Sequence, residues 1–173
     1  SLIAAHARPD LVVAQVLTGA AVRTPPSTFV TRLVVRLMRS PLGIPLWKAF
    51  FKAMHPGTRT ADFAEYRSAV IANLSEEGRF ATVMTMLSLG HDASAAIIGE
   101  VTAPSLVIMG TEDPDWKDPA VEASFIADAL GGPARVELLA GIGHHPHAQA
   151  ADDVARLATE FFGPLRSETS WHA

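Results

Sequence analysis

Residues 104–116 read PSLVIMGTEDPDW, an apolar run followed by a polar loop. The apolar residues from Ser105 to Met109 predict a short strand that is buried on both faces, as in a parallel sheet. Gly110 ends this strand, and Asp113 lies three residues beyond it. Because ligands of open parallel sheets bind where the strands end, the loop is a candidate for a functional site.

A second unit of the same kind follows. The pair Asp118-Pro119 predicts a helix start, since Asp is a favoured N-cap and Pro fits the first helical position. After a glycine pair ends that helix, residues 135–139 predict the next strand, and residues 141–147, GIGHHPH, predict another strand-end loop. A last helix is expected over residues 149–162, with a polar, frayed tail after Pro164. Strand, helix, strand and helix at these lengths predict a parallel α/β sheet.

The N-terminal segment predicts one more helix and one more strand of the parallel sheet. Leu2 to Ala7 is expected to be helical, and Pro9 ends that helix. Leu11 to Leu17, LVVAQVL, is almost continuously apolar and predicts a further strand buried in a parallel sheet.

Between residues 24 and 95 the pattern is helical throughout. Apolar residues recur three and four apart in four stretches, which Pro or Gly residues separate. The expected starts of the four helices are Ser27 as an N-cap, Pro45, a capping box of Asp62 and Glu65, and Ser75 as an N-cap.

Composition limits the classes of function. With 49% hydrophobic and 18% charged residues in 173, the chain is expected to fold around a core. Its net charge of -4 argues against nucleic acid as a partner. No run of about 18 apolar residues is present, and no signal peptide is visible, so no membrane partner is expected. The absence of cysteine fits a reducing compartment such as the cytoplasm, and it leaves no thiol nucleophile in this chain.

The two strand-end loops together resemble the C-terminal part of α/β-hydrolases. In that family a strand ending in Gly-x-x-Asp supplies the acid of a catalytic triad, and a later strand ending in Gly-x-Gly-His supplies the base. The resemblance places the acid at Asp113 and the base at His144, with one helix and one strand between them. Residues 4–19, AAHARPDLVVAQVLTG, are similar to the helix after the nucleophile and the strand behind it.

The implied fold is the C-terminal portion of an α/β-hydrolase, with parallel strands, flanking helices and an all-helical cap inserted between them. Residues 1–23 and 96–173 would form the core, and residues 24–95 the cap. The implied chemistry is acyl transfer, in which His144 takes the proton of a serine hydroxyl and returns it to the leaving group. Asp113 would orient the imidazole and stabilise its protonated form. Asp115, two residues beyond the family position, is the competing acid.

The family's nucleophile elbow, Gly-x-Ser-x-Gly, does not occur in the sequence. Its nearest match is MLSLG at residues 86–90, which lacks the first glycine and follows a predicted helix rather than a strand. We therefore expect an upstream segment or a separate chain, the N-terminal half of the same fold, to supply the nucleophile and the early strands. It would also cover the open edge of the first strand. Both self-cleavage before Ser1 and an arbitrary chain end stay open as origins of the N-terminus.

Four further residues are candidates for substrate binding. Trp116 and His145 would line the pocket entrance, while Met84 and Leu87 belong to the cap, whose aromatic and Met residues suit a hydrophobic or acyl-bearing small molecule. The loop histidines lack the spacing of a helical metal site, so neither a metal nor a cofactor is expected. The remaining histidines are expected to be exposed or capping: His6, His55, His91 and His172.

Several functions stay open at this point. A serine hydrolase acting on an ester, thioester or similar acyl bond is the leading hypothesis, and an acyltransferase would use the same triad with an acceptor other than water. A non-catalytic ligand-binding protein would keep the cap and pocket but lack the nucleophile. An epoxide hydrolase is disfavoured because Tyr66 is the only tyrosine, whereas a dehalogenase, whose nucleophile would also lie upstream, is not excluded.

Overall fold

A computed structural model of the chain describes residues 1–24, 29–57 and 59–168. Three parallel strands form one sheet in the order β1 (Gln15–Thr18), β2 (Ser105–Gly110), β3 (Ala134–Leu139). Gln15 lies opposite Ser105 in the β1–β2 pair, and Ser105 lies opposite Ala134 in the β2–β3 pair. The predicted α/β class and parallel sheet are confirmed.

Helices make up the rest of the regular structure in the described ranges. They are α1 (Leu2–Ala7), α2 (Phe29–Met38), α3 (Gly43–Ala53), α4 (Phe63–Leu74), α5 (Arg79–Ser88), α6 (Asp92–Ile97), α7 (Pro119–Ala129), α8 (Pro146–Gln149) and α9 (Ala151–Glu168). A 3-10 turn, Ile98–Glu100, follows α6. Every described element between β1 and β2 is therefore helical.

Strand β2 is buried along its whole length because helices cover both faces of the sheet. On one face, Val107 and Met109 pack into a cluster with residues of α1 and α7. On the other face, Leu106 and Ile108 pack against Leu157 of α9. The sheet is thus the middle of three layers, and β2 is its centre.

Strand β1 is shorter than the apolar run that predicts it. The sequence predicts a strand from Leu11, but the backbone is still turning there, since the N–H groups of Leu11 and Val12 donate to the carbonyl oxygen of Arg8. Pairing begins only at Gln15, whose N–H donates to the carbonyl oxygen of Pro104 over 2.9 Å. The prediction is wrong by four residues at its start because apolar character alone does not tell a strand from a packed turn.

The helix starts predicted in the cap agree with the structure unevenly: Asp62 is an N-cap as predicted, whereas α3 begins at Gly43, two residues before the predicted start at Pro45. Asp62 occupies the N-cap of α4 without a side-chain cap hydrogen bond, so the capping box with Glu65 is not formed. Ser75 ends α4 instead of starting α5, and its hydroxyl donates to the carbonyl oxygen of Ile71. Ser27 lies outside the described residues.

The helices of the core follow their sequence signals more closely. Asp118 caps α7 as predicted, and its Oδ1 accepts the N–H groups of Ala120 and Val121 at 3.1 Å each. The last helix is longer than expected, because α9 continues through Pro164 to Glu168. The short helix α6 was not foreseen, since six residues give too little periodicity to detect.

No described helix is by itself both long and apolar enough to cross a membrane. Two helical stretches, Arg79–Ser88 and Asp92–Glu100, meet that length and composition only when joined, with a bend of 45° between them.

Candidate active site

The two loops predicted to carry chemistry leave the sheet at the same end. Strands β2 and β3 are parallel neighbours, so the loops that follow them begin side by side. The N–H of Thr111 donates to the carbonyl oxygen of Leu139 over 3.0 Å, and the N–H of Glu112 donates to that of Ile142 over 2.9 Å. These backbone bonds hold the loop after β2 against the loop after β3.

Asp113 and His144 meet across this pair of loops. Nδ1 of His144 lies 2.9 Å from Oδ2 of Asp113. The Asp113 side chain is completely buried, whereas that of His144 remains 21% exposed. Oδ1 of Asp113 accepts the N–H of Asp115 over 3.0 Å, which fixes the orientation of the carboxylate. Because an ionised carboxylate can only accept, the proton belongs on Nδ1 and leaves Nε2 of His144 as the basic nitrogen.

The pKa of His144 is raised above its ordinary value. Burial of the ring lowers the pKa, but the hydrogen bond to Asp113 and the negative charges of Asp113 and Asp115 together raise it by more. Oδ2 of Asp115 lies 3.5 Å from the same Nδ1. Burial raises the pKa of the Asp115 carboxyl itself. The site therefore holds one fully buried acid and a second, more exposed acid around the same imidazole.

Further imidazole rings stand next to His144. The ring centroid of His145 lies 4.9 Å from that of His144, and the rings of His55 and His147 lie 4.8 and 5.7 Å from that of His145. Burial, together with the neighbouring imidazoles, lowers the pKa of His145 to about 4. His145 is consequently neutral near pH 7 and places a polar but uncharged ring beside that of His144.

His55 belongs to this group although it lies in the cap. Its Nδ1 donates to the carbonyl oxygen of Phe51 over 2.8 Å, a capping contact at the end of α3. The residue is 2% exposed, and burial lowers its pKa. Its ring packs between those of Phe63 and His145. The sequence contains no signal for this placement, because it depends on the cap packing against residues 141–147, which we call the histidine loop.

Contacts between residues 54–56 and residues 143–144 join the cap to the histidine loop. We call this contact region the seam. The N–H of His144 donates to the carbonyl oxygen of Met54 over 3.1 Å. Gln149 bridges the two sides, since its Oε1 accepts the N–H of Gly143 over 2.9 Å and its Nε2 donates to the carbonyl oxygen of Pro56 over 2.8 Å. A Cβ at Gly143 would lie 2.5 Å from the Met54 oxygen, so the close approach requires glycine.

The end of β1 also contacts the histidine loop. Gly19 has a φ of 54°, and a Cβ there would overlap the carbonyl oxygen of His144. Oγ1 of Thr18 lies 3.4 Å from Nδ1 of His147. The three strands thus bring their ends together around one histidine.

The two substrate-binding candidates in the loops lie at different depths. His145 stands against the ring of His144, as described above. Trp116 is half-buried, its backbone N–H donates to the carbonyl oxygen of Asp113 over 3.4 Å, and its side chain packs against the core cluster of α1 and α7. Its assignment to the pocket stays a prediction.

The two substrate-binding candidates in the cap, Met84 and Leu87, differ in their exposure. Met84 is buried and lines a cavity of about 300 Å³ between α2 and α5, whereas Leu87 is 58% exposed. Their roles in substrate binding stay predictions. Ser88, the serine of the nearest match to the elbow, ends α5, and its hydroxyl donates to the carbonyl oxygen of Thr85 over 2.6 Å. A helix end is not the strand-turn-helix setting that the elbow requires.

In the described part of the chain, one group has the residue types and spacing of a possible metal site. Ligand atoms of Asp113, Asp115 and His144 lie within 4.8 Å of one another. Both carboxylates, however, point at the same ring nitrogen, which must carry a proton to bond Asp113. This donor geometry suits a shared proton better than a cation.

Several solved structures with the same fold are hydrolytic enzymes. The α/β-hydrolase MGS-M2 from a Medee basin deep-sea metagenome library gives a TM-score of 0.71 at 18% identity, over 94% of this chain and 60% of that one. The 2-hydroxy-6-oxo-6-phenylhexa-2,4-dienoate hydrolase of Rhodococcus sp. strain RHA1 gives a TM-score of 0.72 at 13% identity, over 93% of this chain and 59% of that one. An esterase from Exiguobacterium antarcticum gives a TM-score of 0.64 at 12% identity, over 86% of this chain and 56% of that one.

Sequence comparison adds no closer relative, because no protein-family model and no curated protein matches the chain. The chain spans about 60% of the length of the structures named above. Over most of its own length, this chain has the fold of the α/β-hydrolase superfamily, and it corresponds to a C-terminal portion of that fold.

Proposed function

We propose that this chain supplies the acid and the base of a catalytic triad in a serine-type α/β-hydrolase that cleaves an ester, thioester or similar acyl bond. The observation that carries the proposal is the 2.9 Å contact between a completely buried Asp113 carboxylate and Nδ1 of His144. That contact sets the tautomer and the orientation that a general base needs. The fold alone would not carry the proposal, because one fold hosts many functions.

The reaction would run through an acyl-enzyme. Nε2 of His144 takes the proton of a serine hydroxyl while the serine oxygen bonds to the acyl carbon, and the protonated His144 then donates that proton to the leaving alcohol or thiol. Water repeats the sequence on the acyl-serine and releases the acid. Asp113 stabilises the imidazolium in both halves without itself taking a proton. An acyltransferase would differ only in the acceptor that replaces water.

The serine is proposed to come from sequence upstream of residue 1 or from a separate chain. The two outer strands of the described sheet support this source. Arg135 and Glu137 of β3 form an ion pair along its edge, and charged residues of this kind protect an edge from pairing. Strand β1, QVLT, has no charged residue, so its free edge suits further strands of the same sheet.

The surroundings of His144 favour a hydrophobic acyl group. Phe51 packs near the rings of His145, Phe63 and Tyr66, with centroid distances of 6.4, 6.1 and 5.8 Å. His145 is neutral next to His144, so its ring adds aromatic surface there without adding a charge.

The test is to label the complete protein with a fluorophosphonate and to locate the label by peptide mass mapping. We expect the label on a serine outside residues 1–173, and we expect His144→Ala to reduce labelling by at least about 10³-fold, because the serine loses its base. His91→Ala is the matched control, since His91 lies in the cap and its side chain makes no cap hydrogen bond.

Labelling that survives His144→Ala would remove His144 from the mechanism. A label on Ser88 would move the nucleophile into this chain. If the wild-type protein takes no label, the non-catalytic ligand-binding hypothesis becomes the better one.

A further inference from the structure

The first half of the cap and the strand before it carry a charge opposite to that of the rest of the chain. Residues 11–61 contain half of the 14 Lys and Arg residues and none of the 18 Asp and Glu residues. One of these cations, Arg23, is used internally, since it pairs with the buried Glu122. The others belong to α2, α3 and the segments next to them, in a protein whose net charge is -4.

Helix α2 displays this charge beside exposed apolar side chains. At about 100° per residue, Phe29, Leu33 and Leu37 form one row along the helix. These three residues are 74%, 45% and 38% exposed. Among the α2 side chains that the structure describes, only Met38 is buried, and it points opposite to Phe29. The apolar row therefore faces away from the described residues against which Met38 packs.

A row of three arginines runs next to the apolar row. Arg32, Arg36 and Arg39 recur four and three residues apart, and all three are exposed. Helix α3 packs against α2 and adds two further exposed cations, Lys48 and Lys52. The outward face of α2 thus combines large apolar side chains with cations and has no acid.

We propose that this outward face of α2 is a peripheral docking surface for an anionic lipid bilayer. An interfacial helix places its apolar row in the acyl boundary and its cations among the headgroups. Guanidinium groups form bidentate hydrogen bonds with phosphate, which suits three arginines at this spacing. A nucleic acid would engage the arginines but would give Phe29 and Leu33 no apolar environment.

The charge distribution also predicts how the protein is oriented on an anionic bilayer. The core carries the excess of Asp and Glu, so an anionic bilayer attracts the cap and repels the opposite side of the molecule. Peripheral docking needs neither a spanning segment nor a signal peptide, and the expectation of no membrane partner depends on the absence of these two features. The docking surface goes beyond the proposed acyl hydrolysis and does not depend on it.

The test is co-sedimentation of the complete protein with lipid vesicles, which needs no catalytic activity. We expect binding to vesicles of phosphatidylcholine mixed with phosphatidylglycerol, and much weaker binding to phosphatidylcholine alone. Changing Arg32→Gln and Arg36→Gln together should weaken binding to the mixed vesicles roughly 30-fold, from about fivefold for each arginine near an anionic surface. Phe29→Ser with Leu33→Ser should weaken it as well.

The matched control is Arg8→Gln with Arg156→Gln, which makes the same change of net charge at exposed positions of the core. We expect this control to bind like the wild type, and circular dichroism should show all variants folded. Equal binding by the arginine pair of α2 and its control would overturn the proposal. So would full binding by the serine variant, because the apolar row would then take no part in binding and the partner would be recognised by charge alone.

Discussion

The loops that hold Asp113 and His144 and the helices of the cap are packed very differently. Asp113 is buried, and backbone hydrogen bonds from neighbouring loops surround it. In α2, by contrast, the only described side chain that is buried is Met38, and in α5 it is Met84 alone. The sheet can hold a side chain to a fraction of an ångström because its loops start from hydrogen-bonded strands. A cap of short helices with few buried residues has no such frame.

This difference in packing predicts which residues tolerate substitution. Side chains at the strand ends are constrained by the chemistry and by the sheet, so most substitutions there should cost activity or stability. The exposed side of the cap is constrained by neither, so substitutions there should alter what the protein contacts. Three matched pairs of variants test this division, from the largest expected effect to the smallest.

The largest effect is expected for Asp113→Asn, compared with Asp62→Asn in the cap. The change at residue 113 should lower kcat/KM by about 10⁴-fold, because the amide no longer fixes the tautomer or balances the imidazolium. The same change at Asp62, whose side chain makes no cap hydrogen bond, should leave kcat/KM within about twofold. Hydrolysis of a short p-nitrophenyl ester measures both, and similar losses in the two variants would contradict the comparison.

The pH profile sharpens this first test. His144 must be neutral to act as a base, so its raised pKa moves the acid limb of kcat/KM upward from the ordinary histidine pKa. Asp113→Asn should move the limb to lower pH. The same pair contributes to stability below the ordinary histidine pKa, and that contribution is lost as the pH rises through the raised pKa. A limb that moves upward in the variant would reverse the assignment.

The second effect is on folding, and it compares Leu106→Ala in β2 with Leu87→Ala at the end of α5. Leu106 is fully buried between the sheet and α9, so its truncation should lower the free energy of unfolding by about 2–5 kcal/mol. Leu87 is mostly exposed, and its truncation should cost less than about 0.5 kcal/mol. Urea denaturation measures both. A large loss at Leu87 would mean that another surface covers it in the complete protein.

The smallest effect concerns the seam, where the cap and the loops meet. Gly143→Ala should cost roughly 1–3 kcal/mol of stability, because its Cβ would crowd Met54 and Pro56. Gly163→Ala in α9 is the control, since a Cβ there meets no atom within 4 Å outside its chain neighbours, and the helix propensity gained by alanine is opposed by contact with the ring of Pro164. Thermal denaturation should therefore shift to lower temperature more strongly in the Gly143 variant, and equal shifts would show that the seam is not tightly packed.

Much of the core was predictable because its signals are local. The apolar run of β2 and the Asp118-Pro119 helix start depend only on neighbouring residues, and both agree with the structure. The start of β1 and the role of Ser75 were not predictable in the same way. Each depends on which residues pair or pack across the fold, and apolar or capping character alone leaves that choice open.

Local sequence patterns are enough to specify the α/β class, the order of acid and histidine along the chain, and the position of each residue at a strand end. Three contacts appear only in the folded chain: Asp113 with Nδ1 of His144, His55 with His145, and Gln149 with the cap. The partners in these contacts lie far apart along the chain. Patterns of a few residues specify helices, strands and turns, whereas a contact between residues 56 and 149 exists only after the sheet and the cap have come together.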